Sequence, residues 1–209
     1  MKQLIAPILP TVLAPGDWDQ FTDYDVLEDC HFQNQTILGS FHDIELKHCQ
    51  LTNCDFSQAD IHGMNCIHVI FDHCDLSNFD FNNVTMHHVI FRNCKLMGMD
   101  CSMSSMKHVQ ILSCLGRFAN FSFATIDYFL IQESDFTESV WNEVTWKHRN
   151  LSDSNFQQAE FLNTSLRELD VTSCEIAGIR VTTDSLVGVQ VSALQAVSLM
   201  ELFGIIVKE

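Results

Sequence analysis

The stretch from Cys54 to Leu115 decides the fold once it is written in rows of twenty residues. The rows are CDFSQADIHGMNCIHVIFDH (54–73), CDLSNFDFNNVTMHHVIFRN (74–93) and CKLMGMDCSMSSMKHVQILS (94–113), and a fourth row opens at Cys114. Cysteine recurs in one column, histidine in a second, valine in a third and aspartate in a fourth. Self-similarity at a fixed period indicates a stacked repeat architecture, in which each repeat packs on its neighbours.

Within each row an apolar residue recurs at every fifth position. This phase begins at Leu27, slips by one residue between Ile37 and Phe41, and then holds through Val181 with Gly116 as its one departure. A period of five fits neither an α-helix, with its period of 3.6, nor a strand, with its period of 2. It fits a short extended side followed by a corner, so that four equal sides close one square turn. Such turns stack at the strand spacing of about 4.8 Å, and the sequence therefore predicts an all-β solenoid.

The repeating unit resembles the pentapeptide-repeat family, whose motif is a small residue, Asp or Asn, Leu or Phe, and two variable residues. The motif occurs at Cys54-Asp55-Phe56, Cys74-Asp75-Leu76, Ala119-Asn120-Phe121 and Ser134-Asp135-Phe136. The resemblance implies a right-handed quadrilateral parallel β-helix over residues 25–190. It also implies that the central apolar residue, and the small residue two before it, point inward. Bulky Phe79 and Phe129 and charged Arg149 hold the small-residue position, and Arg149 is expected to distort its corner or reach outward.

Both ends of the chain depart from the five-residue pattern. All three prolines lie in the first 20 residues, and we predict that residues 1–24 form an extended N-terminal cap segment, because repeat arrays need atypical ends. At the other end, residues 191–209 include SALQAVSLMELF followed by Gly204, which predicts a short C-terminal α-helix. Its apolar surface must cover its own coil or meet a second copy, and the resemblance implies a homodimer through this end. The expected dimerisation residues are Leu194, Val197, Leu199, Leu202, Phe203 and Ile206.

Composition restricts the class of protein and its compartment. An apolar content of 46% predicts a folded chain. No window of 18 uninterrupted apolar residues exists, which argues against a membrane partner or span, and Pro7 and Pro10 break the apolar start, which argues against a signal peptide. Nine cysteines without a CxxC pair indicate free thiols and a reducing cytoplasm.

Two columns raise the question of a metal site. The cysteines are spread along a line instead of converging on one point as zinc ligands do, so we interpret them as small core residues. Histidines recur at a corner that we expect to face solvent, with Tyr128 filling one gap. Stacking of the rings is the favoured interpretation, and a shared metal ion or joint titration near neutral pH is the alternative. No metal or cofactor site is predicted. The histidine column comprises His48, His68, His88, His108 and His148.

No combination of residues typical of an enzyme is present. The sequence lacks GxSxG, HExxH and a phosphate-binding loop. Solenoid sides are flat or convex, whereas active sites are usually concave. We therefore expect a binding protein and not an enzyme.

The acidic residues follow an ordered layout. The net charge is −16, from 27 acidic and 11 basic residues, which argues against nucleic acid as a partner. In the family motif the residue before each central apolar residue points outward, so two neighbouring sides carry acidic ladders. Local turn hydrogen bonds explain Asp or Asn at such positions, but not so large an uncompensated excess. The predicted partner-binding residues are Asp55, Asp75, Asp135 and Glu175 on one side, and Asp60, Asp80, Asp100 and Glu160 on the next.

The charge density of the expected rod is close to that of nucleic acid. About eight coils stacked at about 4.8 Å give a rod of about 40 Å, and hence one net charge per about 2.5 Å. Duplex DNA carries one charge per about 1.7 Å. The two values agree within a factor of two, which favours imitation of DNA over a purely structural role for the carboxylates.

Within the family, the whole-chain solenoid, acidic balance and apolar C-terminal helix most resemble the Qnr-type quinolone-resistance proteins. The resemblance implies a DNA mimic that binds DNA gyrase and topoisomerase IV, inhibits supercoiling and relieves quinolone poisoning. Several of these relatives carry loops tied to drug protection, and the unbroken phase leaves no such loop here, so inhibition is favoured over protection. The alternative is a scaffold or interaction module that uses an apolar stripe at Ile70, Ile90 and Leu130. The N-terminal segment could instead cover that stripe.

Overall fold

A computed structural model describes residues 3–206 as a parallel β-solenoid followed by a short helix. Strands β1–β14 are Ala14–Pro15, Val26–Glu28, Cys30–Gln33, Gly39–His42, Glu45–Lys47, Gln50–Thr52, Ala59–His62, Asn65–Asp72, Thr85–Arg92, Ser105–Leu112, Thr125–Gln132, Thr145–Ser152, Glu160–Phe161 and Arg180–Val181. Helix α1 is Ala193–Leu199, and 3-10 turns lie at Trp18–Gln20, Thr183–Leu186 and Met200–Phe203.

Residues one row apart in the sequence are neighbours in the sheet. Val69 pairs with Val89 and Val89 with Val109, in parallel, through β8, β9 and β10. The first coil is one residue shorter, because Thr36 pairs with Asp55 whereas Gly39 pairs with Ala59. The predicted slip is therefore confirmed, and it falls at the corner where Gly39 has φ +104°. The predicted fold class, a four-sided parallel β-helix with a short C-terminal helix, is also confirmed.

The corners of the coil have left-handed backbone. Positive φ recurs every fifth residue, for example at His68 (55°), His73 (55°), Asn78 (58°) and Asn83 (56°). At many corners a hydrogen bond closes a β-turn, as where Phe79 N donates to Leu76 O over 3.2 Å. The left-handed region suits Gly and Asn and disfavours bulky side chains, so each corner restricts the residue it accepts.

The centre of the coil is filled by the predicted inward residues. Phe71, Phe81 and Phe91 are buried, and the rings of Phe71 and Phe91 stack with centroids 5.0 Å apart. The cysteine columns are buried beside them as free thiols. Burial raises the pKa of the Cys49 thiol to about 12, so this thiol stays protonated and behaves as a small apolar residue.

Arg149 holds a small-residue position of the repeat, within β12. Its guanidinium reaches out of the coil, donates to the carbonyl oxygens of Ser165 and Arg167, and lies 5.5 Å from the centroid of the Trp146 ring. The ten-stranded sheet ends with β12, the strand that contains Arg149. Phe129 pairs with Arg149 in the regular register, so of the two expected outcomes, distortion or an outward reach, the outward reach is confirmed.

Both ends of the core are closed. Trp18 is 2% exposed and makes edge-to-face contacts with Phe32 and Phe56, at centroid distances of 5.5 and 5.4 Å. At the other end, Leu199 of α1 packs into the last coil, and Gln195 donates to the carbonyl oxygens of Val171 and Cys174. Among residues 3–206 no helix is long and apolar enough to cross a membrane.

Replacing one stacked core ring should destabilise the whole rod. Phe81→Ala removes a fully buried side chain and should lower the free energy of unfolding by about 3–5 kcal/mol, measured by urea titration. Leu38→Ala is the control, since Leu38 is 57% exposed and should change stability by no more than about 0.5 kcal/mol. Equal effects of the two substitutions would contradict the placement of Phe81 in the core.

Candidate partner-binding surface

The eight predicted acidic residues lie on two adjacent sides of the coil. On the first side, ladder A, the outward residues pair one above another as Asp55, Asp75, Lys95, Leu115, Asp135, Asn155 and Glu175. On the next side, ladder B, the corresponding series is Asp80, Asp100, Asn120, Val140 and Glu160, and Asp60 precedes it in β7. Each ladder thus carries one outward residue per coil, on neighbouring faces of the rod.

Most ladder carboxylates also hold the turn that follows them. Asp75 accepts from the backbone and hydroxyl of Ser77, at 3.1 and 2.6 Å, and Asp135 makes the same two bonds to Thr137. Asn120 bonds in the same way to Ser122. This local bonding favours Asp or Asn at such positions. It also leaves one face of each side chain directed to solvent.

Several ladder charges are compensated within the coil. Lys95 Nζ lies 2.9 Å from Asp75, and Arg180 pairs with Glu160 one coil below. Burial alone would raise the pKa of Asp75, but the bonds from Ser77 and Lys95 lower it. His62 stands between two ladder B carboxylates, 3.1 Å from Asp60 and 2.9 Å from Asp80. Its hydrogen bond to Asp80 raises the pKa of His62.

The structure adds exposed carboxylates that the sequence analysis missed. They occupy left-handed corners beside the ladders, two positions after a central apolar residue, and all are exposed. Because the corner recurs at every fifth position, the same count that located the core could have located them. These corner carboxylates are Asp43, Glu133, Glu138, Glu143 and Asp153.

A shallow groove along ladder A is lined by several carboxylates. Glu133 and Asp153 line one edge of this groove, and Asp135 and Glu175 lie on the ladder itself. Serines fill the intervening positions. Four carboxylates thus face one concave strip, without a lysine or arginine among the residues that line it.

The acidic surface is divided in the middle of the rod. At that level, ladder A carries Lys95 and Leu115, and ladder B carries Asn120 and Val140. The carboxylates therefore form two zones, one from Asp55 to Asp100 and one from Glu133 to Glu175.

The histidine column lies beneath the N-terminal segment. The rings of His68, His88 and His108 stack with centroids 4.5 and 4.6 Å apart, and Tyr128 continues the stack to His148. Residues 3–12, here called the strap, run along this column. Ile8 N donates to His68 Nδ1 over 3.1 Å.

A second residue of the strap, Ile5, forms hydrogen bonds with two histidines of the column. Ile5 N donates to His108 Nδ1 over 3.2 Å, and His88 Nδ1 donates to Ile5 O over 3.1 Å. The expectation that this corner faces solvent is therefore wrong for His108, which is 6% exposed.

The strap also lies beside the apolar stripe. Ile70, Ile90 and Leu130 are half-buried, and Leu4 shares a pocket with Leu130. The N-terminal segment thus runs along the stripe and does more than cap the end of the coil. This arrangement does not favour the stripe as the free docking face that the scaffold alternative requires.

Few potential metal ligands converge in the part of the chain that the structure describes. Among the described residues, one group brings three donor atoms within 4.8 Å of one another, and it consists of Glu28, Asp29 and His48 at the surface. The other histidines of the column stack face to face, so their nitrogens do not point at a common centre.

The C-terminal helix has a buried and an exposed side. Leu199 packs on its own coil, which removes it from the expected dimerisation surface. The other expected dimerisation residues are exposed by between 38% and 84%, namely Leu194, Val197, Leu202, Phe203 and Ile206.

Two family models match the chain. The model for pentapeptide repeats in eight copies matches residues 40–78, and the model for the pentapeptide repeat region matches residues 64–141. The coil register continues the same repeat through Val181. The chain is a pentapeptide-repeat protein. No curated protein matches it.

Solved structures of other pentapeptide-repeat proteins are similar to this chain. A trypsin-treated form of QnrB1, a plasmid-mediated fluoroquinolone resistance protein, is 22% identical, with 95% of this chain and 100% of that chain covered and a TM-score of 0.43. HetL, involved in heterocyst differentiation regulation in Nostoc, is 10% identical, with 76% and 85% covered and a TM-score of 0.37. Because these scores are below 0.5, the assignment rests on the repeat models and the register.

Acidification should detach the strap. Burial lowers the pKa of His68 and of His108, with neighbouring imidazoles as the second cause. The closed strap therefore binds fewer protons than the open one. The stabilisation of the closed strap by neutral histidines is fully present above the unperturbed histidine pKa of about 6.5. This stabilisation decreases as the pH falls below that value. Hydrogen exchange of residues 3–12, corrected for intrinsic rates, should accelerate between about pH 7.5 and 5.

A variant pair checks that histidine protonation opens the strap. His68→Asn with His108→Asn keeps residues that tolerate left-handed corners and should abolish the pH dependence, while His73→Asn, outside the stacked column, should keep it. Other titratable groups near the column are His48 with Glu28 and Asp29, His87, Lys107, and His148 with Asp127. Exchange that did not change with pH in the wild-type protein would contradict the role of these histidines.

Proposed function

We propose that this pentapeptide-repeat protein is a non-catalytic binder of type II topoisomerases, DNA gyrase or topoisomerase IV, and imitates duplex DNA. The observation that carries the proposal is the pair of adjacent carboxylate ladders with exposed corner carboxylates beside them. Coils repeat at about 4.8 Å, so two ladders place outward positions at an average of about 2.4 Å along the axis. Carboxylates hold eight of these positions and the corner carboxylates add to them, whereas DNA carries one charge per about 1.7 Å.

The mechanism needs no covalent chemistry. A basic DNA-binding groove attracts the acidic faces at long range, which raises the association rate, and the bound rod occupies the place of DNA. The turn hydrogen bonds hold carboxylates such as Asp135 in place before binding, so little side-chain entropy is lost on association. Inhibition of supercoiling follows, and relief of quinolone poisoning is a further expected consequence in a bacterial cytoplasm.

Dimerisation through the C-terminal end belongs to the same proposal. A two-fold dimer would join two rods end to end and lengthen the acidic surface. Exposed Leu194 and Ile206 support this arrangement, because clustered apolar side chains on a protein surface favour burial against a partner.

Removing ladder charges without disturbing the turns tests the electrostatic mechanism. Asp100→Asn with Asp135→Asn should preserve the melting temperature, because Asn120 and Asn155 already make the same turn bonds at equivalent positions. The concentration needed to inhibit supercoiling by purified gyrase should rise by about tenfold, and inhibition should become less sensitive to salt.

Two carboxylates on a different side of the coil provide the matched control. Glu45→Gln with Asp127→Asn removes the same number of charges from the side that follows ladder B, and should leave inhibition nearly unchanged. Absence of inhibition by the wild-type protein at low salt would refute the proposed function. Equal loss in both double variants would indicate that net charge alone is responsible.

The dimer has its own test. Leu194→Asp with Ile206→Asp should convert the dimer into a monomer in light scattering coupled to size-exclusion chromatography, because each introduces a charge into the proposed interface. Val187→Asp is the control, since Val187 is 62% exposed and precedes the helix. A wild-type protein that is monomeric throughout the micromolar range would contradict the dimer.

A further inference from the structure

Five large apolar side chains are exposed where the acidic surface is divided. They lie in two successive coils and are between 41% and 56% exposed. This set, called the central apolar patch, consists of Met97, Met103, Leu115, Phe118 and Phe123. No described part of the chain covers these side chains to the extent that the strap covers His108.

The coil register places the patch across both acidic faces. Leu115 is the outward residue of ladder A, and Phe118 is the corner between ladders A and B. Phe123 is the corner at the far edge of ladder B, and Met103 occupies the same corner one coil earlier. The two phenylalanines thus flank a single side of the rod, with Asn120 between them.

The fold itself does not favour large apolar residues at these corners. Phe118, Phe123 and Met103 have φ of 63°, 62° and 57°, in the left-handed region that bulky side chains rarely adopt. Glycine holds the corner below Phe118, and Asn83 holds the corner below Met103. Phe118 and Phe123 therefore have an unfavourable backbone conformation and side chains exposed to water. Packing inside the coil explains neither the conformation nor the exposure.

The surroundings of the patch are acidic. Glu138 and Glu143 occupy the corners directly above Phe118 and Phe123, and Asp100 lies on ladder B below Asn120. Arg117 lies over the Phe118 ring at 5.5 Å and 3.7 Å from Glu138. Lys95 lies directly below Leu115 and 2.9 Å from Asp75. Both cations are therefore compensated within the coil.

We propose that the central apolar patch is a docking surface for a protein partner with an apolar pocket rimmed by lysine and arginine. The inference rests on the proposed function and deepens it, because the pocket would lie beside the basic DNA-binding groove of the topoisomerase. Buried aromatic side chains at the centre of an interface, surrounded by polar groups, typically carry most of its binding energy. Duplex DNA offers no equivalent of such an anchor, so the patch gives the protein a contact that DNA lacks.

The charges around the patch favour a protein with a basic-rimmed pocket over nucleic acid and over a second copy of this chain. Nucleic acid would bring phosphates against Glu138 and Glu143. A second copy of the chain docked on the same patch would bring its own acidic faces against them. A basic-rimmed pocket meets the apolar side chains and the carboxylates together.

The test separates anchoring from electrostatic steering by kinetics. Phe118→Asn with Phe123→Asn places residues suited to left-handed corners and should leave the melting temperature unchanged or higher. Against immobilised gyrase, the dissociation rate should rise by about tenfold or more, while the association rate stays within about threefold and keeps its salt dependence. Tyr24→Asn is the matched control, an aromatic residue 72% exposed at a corner with φ 67°, and should change neither rate.

Each outcome decides the proposal. Unchanged dissociation in the double variant overturns the inference and leaves the proposed function standing. Absence of binding by the wild-type protein refutes the proposed function and this inference with it. Should the double variant melt below wild type, Leu115→Thr, which lies off the corners, replaces it and should also accelerate dissociation; failure to do so overturns the inference.

Discussion

A left-handed backbone corner at every fifth residue is the constraint on which this structure depends. The corners turn the chain so that residues one row apart pair in parallel, as Val69 does with Val89, and they bring all central apolar side chains to one axis. The core is then a single column of rings and thiols, with each coil buried by its neighbours. Such an array needs closed ends, which Trp18 and Leu199 provide.

The same geometry explains why surface charge can be arranged so regularly. Where an Asp precedes the central residue, as Asp55 and Asp75 do, it bonds to the turn that follows it, and its second oxygen remains available to solvent or to a cation such as Lys95. A structural requirement thereby places carboxylates in register along the rod. The requirement alone is equally met by asparagine, as Asn155 demonstrates, so the acidic excess is a separate property of this chain. On that excess the proposed imitation of DNA depends.

Periodicity made most of the fold predictable, and it failed where contacts depend on a non-repetitive segment. The five-residue count located the core, the slip near Gly39 and the two ladders. It could not place the strap, because the bonds from Ile5 and Ile8 to the histidine column join residues far apart in sequence without a shared pattern. The corner carboxylates such as Glu138 were missed for a different reason. The corner position was assigned for the histidine column but was not extended to the other corners of the coil, so their exposed residues were not counted as part of the surface.

The central claim is that the acidic faces and duplex DNA occupy the same surface of a type II topoisomerase. The most direct measurement is a competition titration, in which duplex DNA is added to a complex of purified gyrase with the fluorescently labelled protein. The account predicts complete displacement of the protein by DNA, with mutually exclusive binding across the titration. A stable ternary complex, in which gyrase holds DNA and the protein together at unchanged affinity, would contradict it.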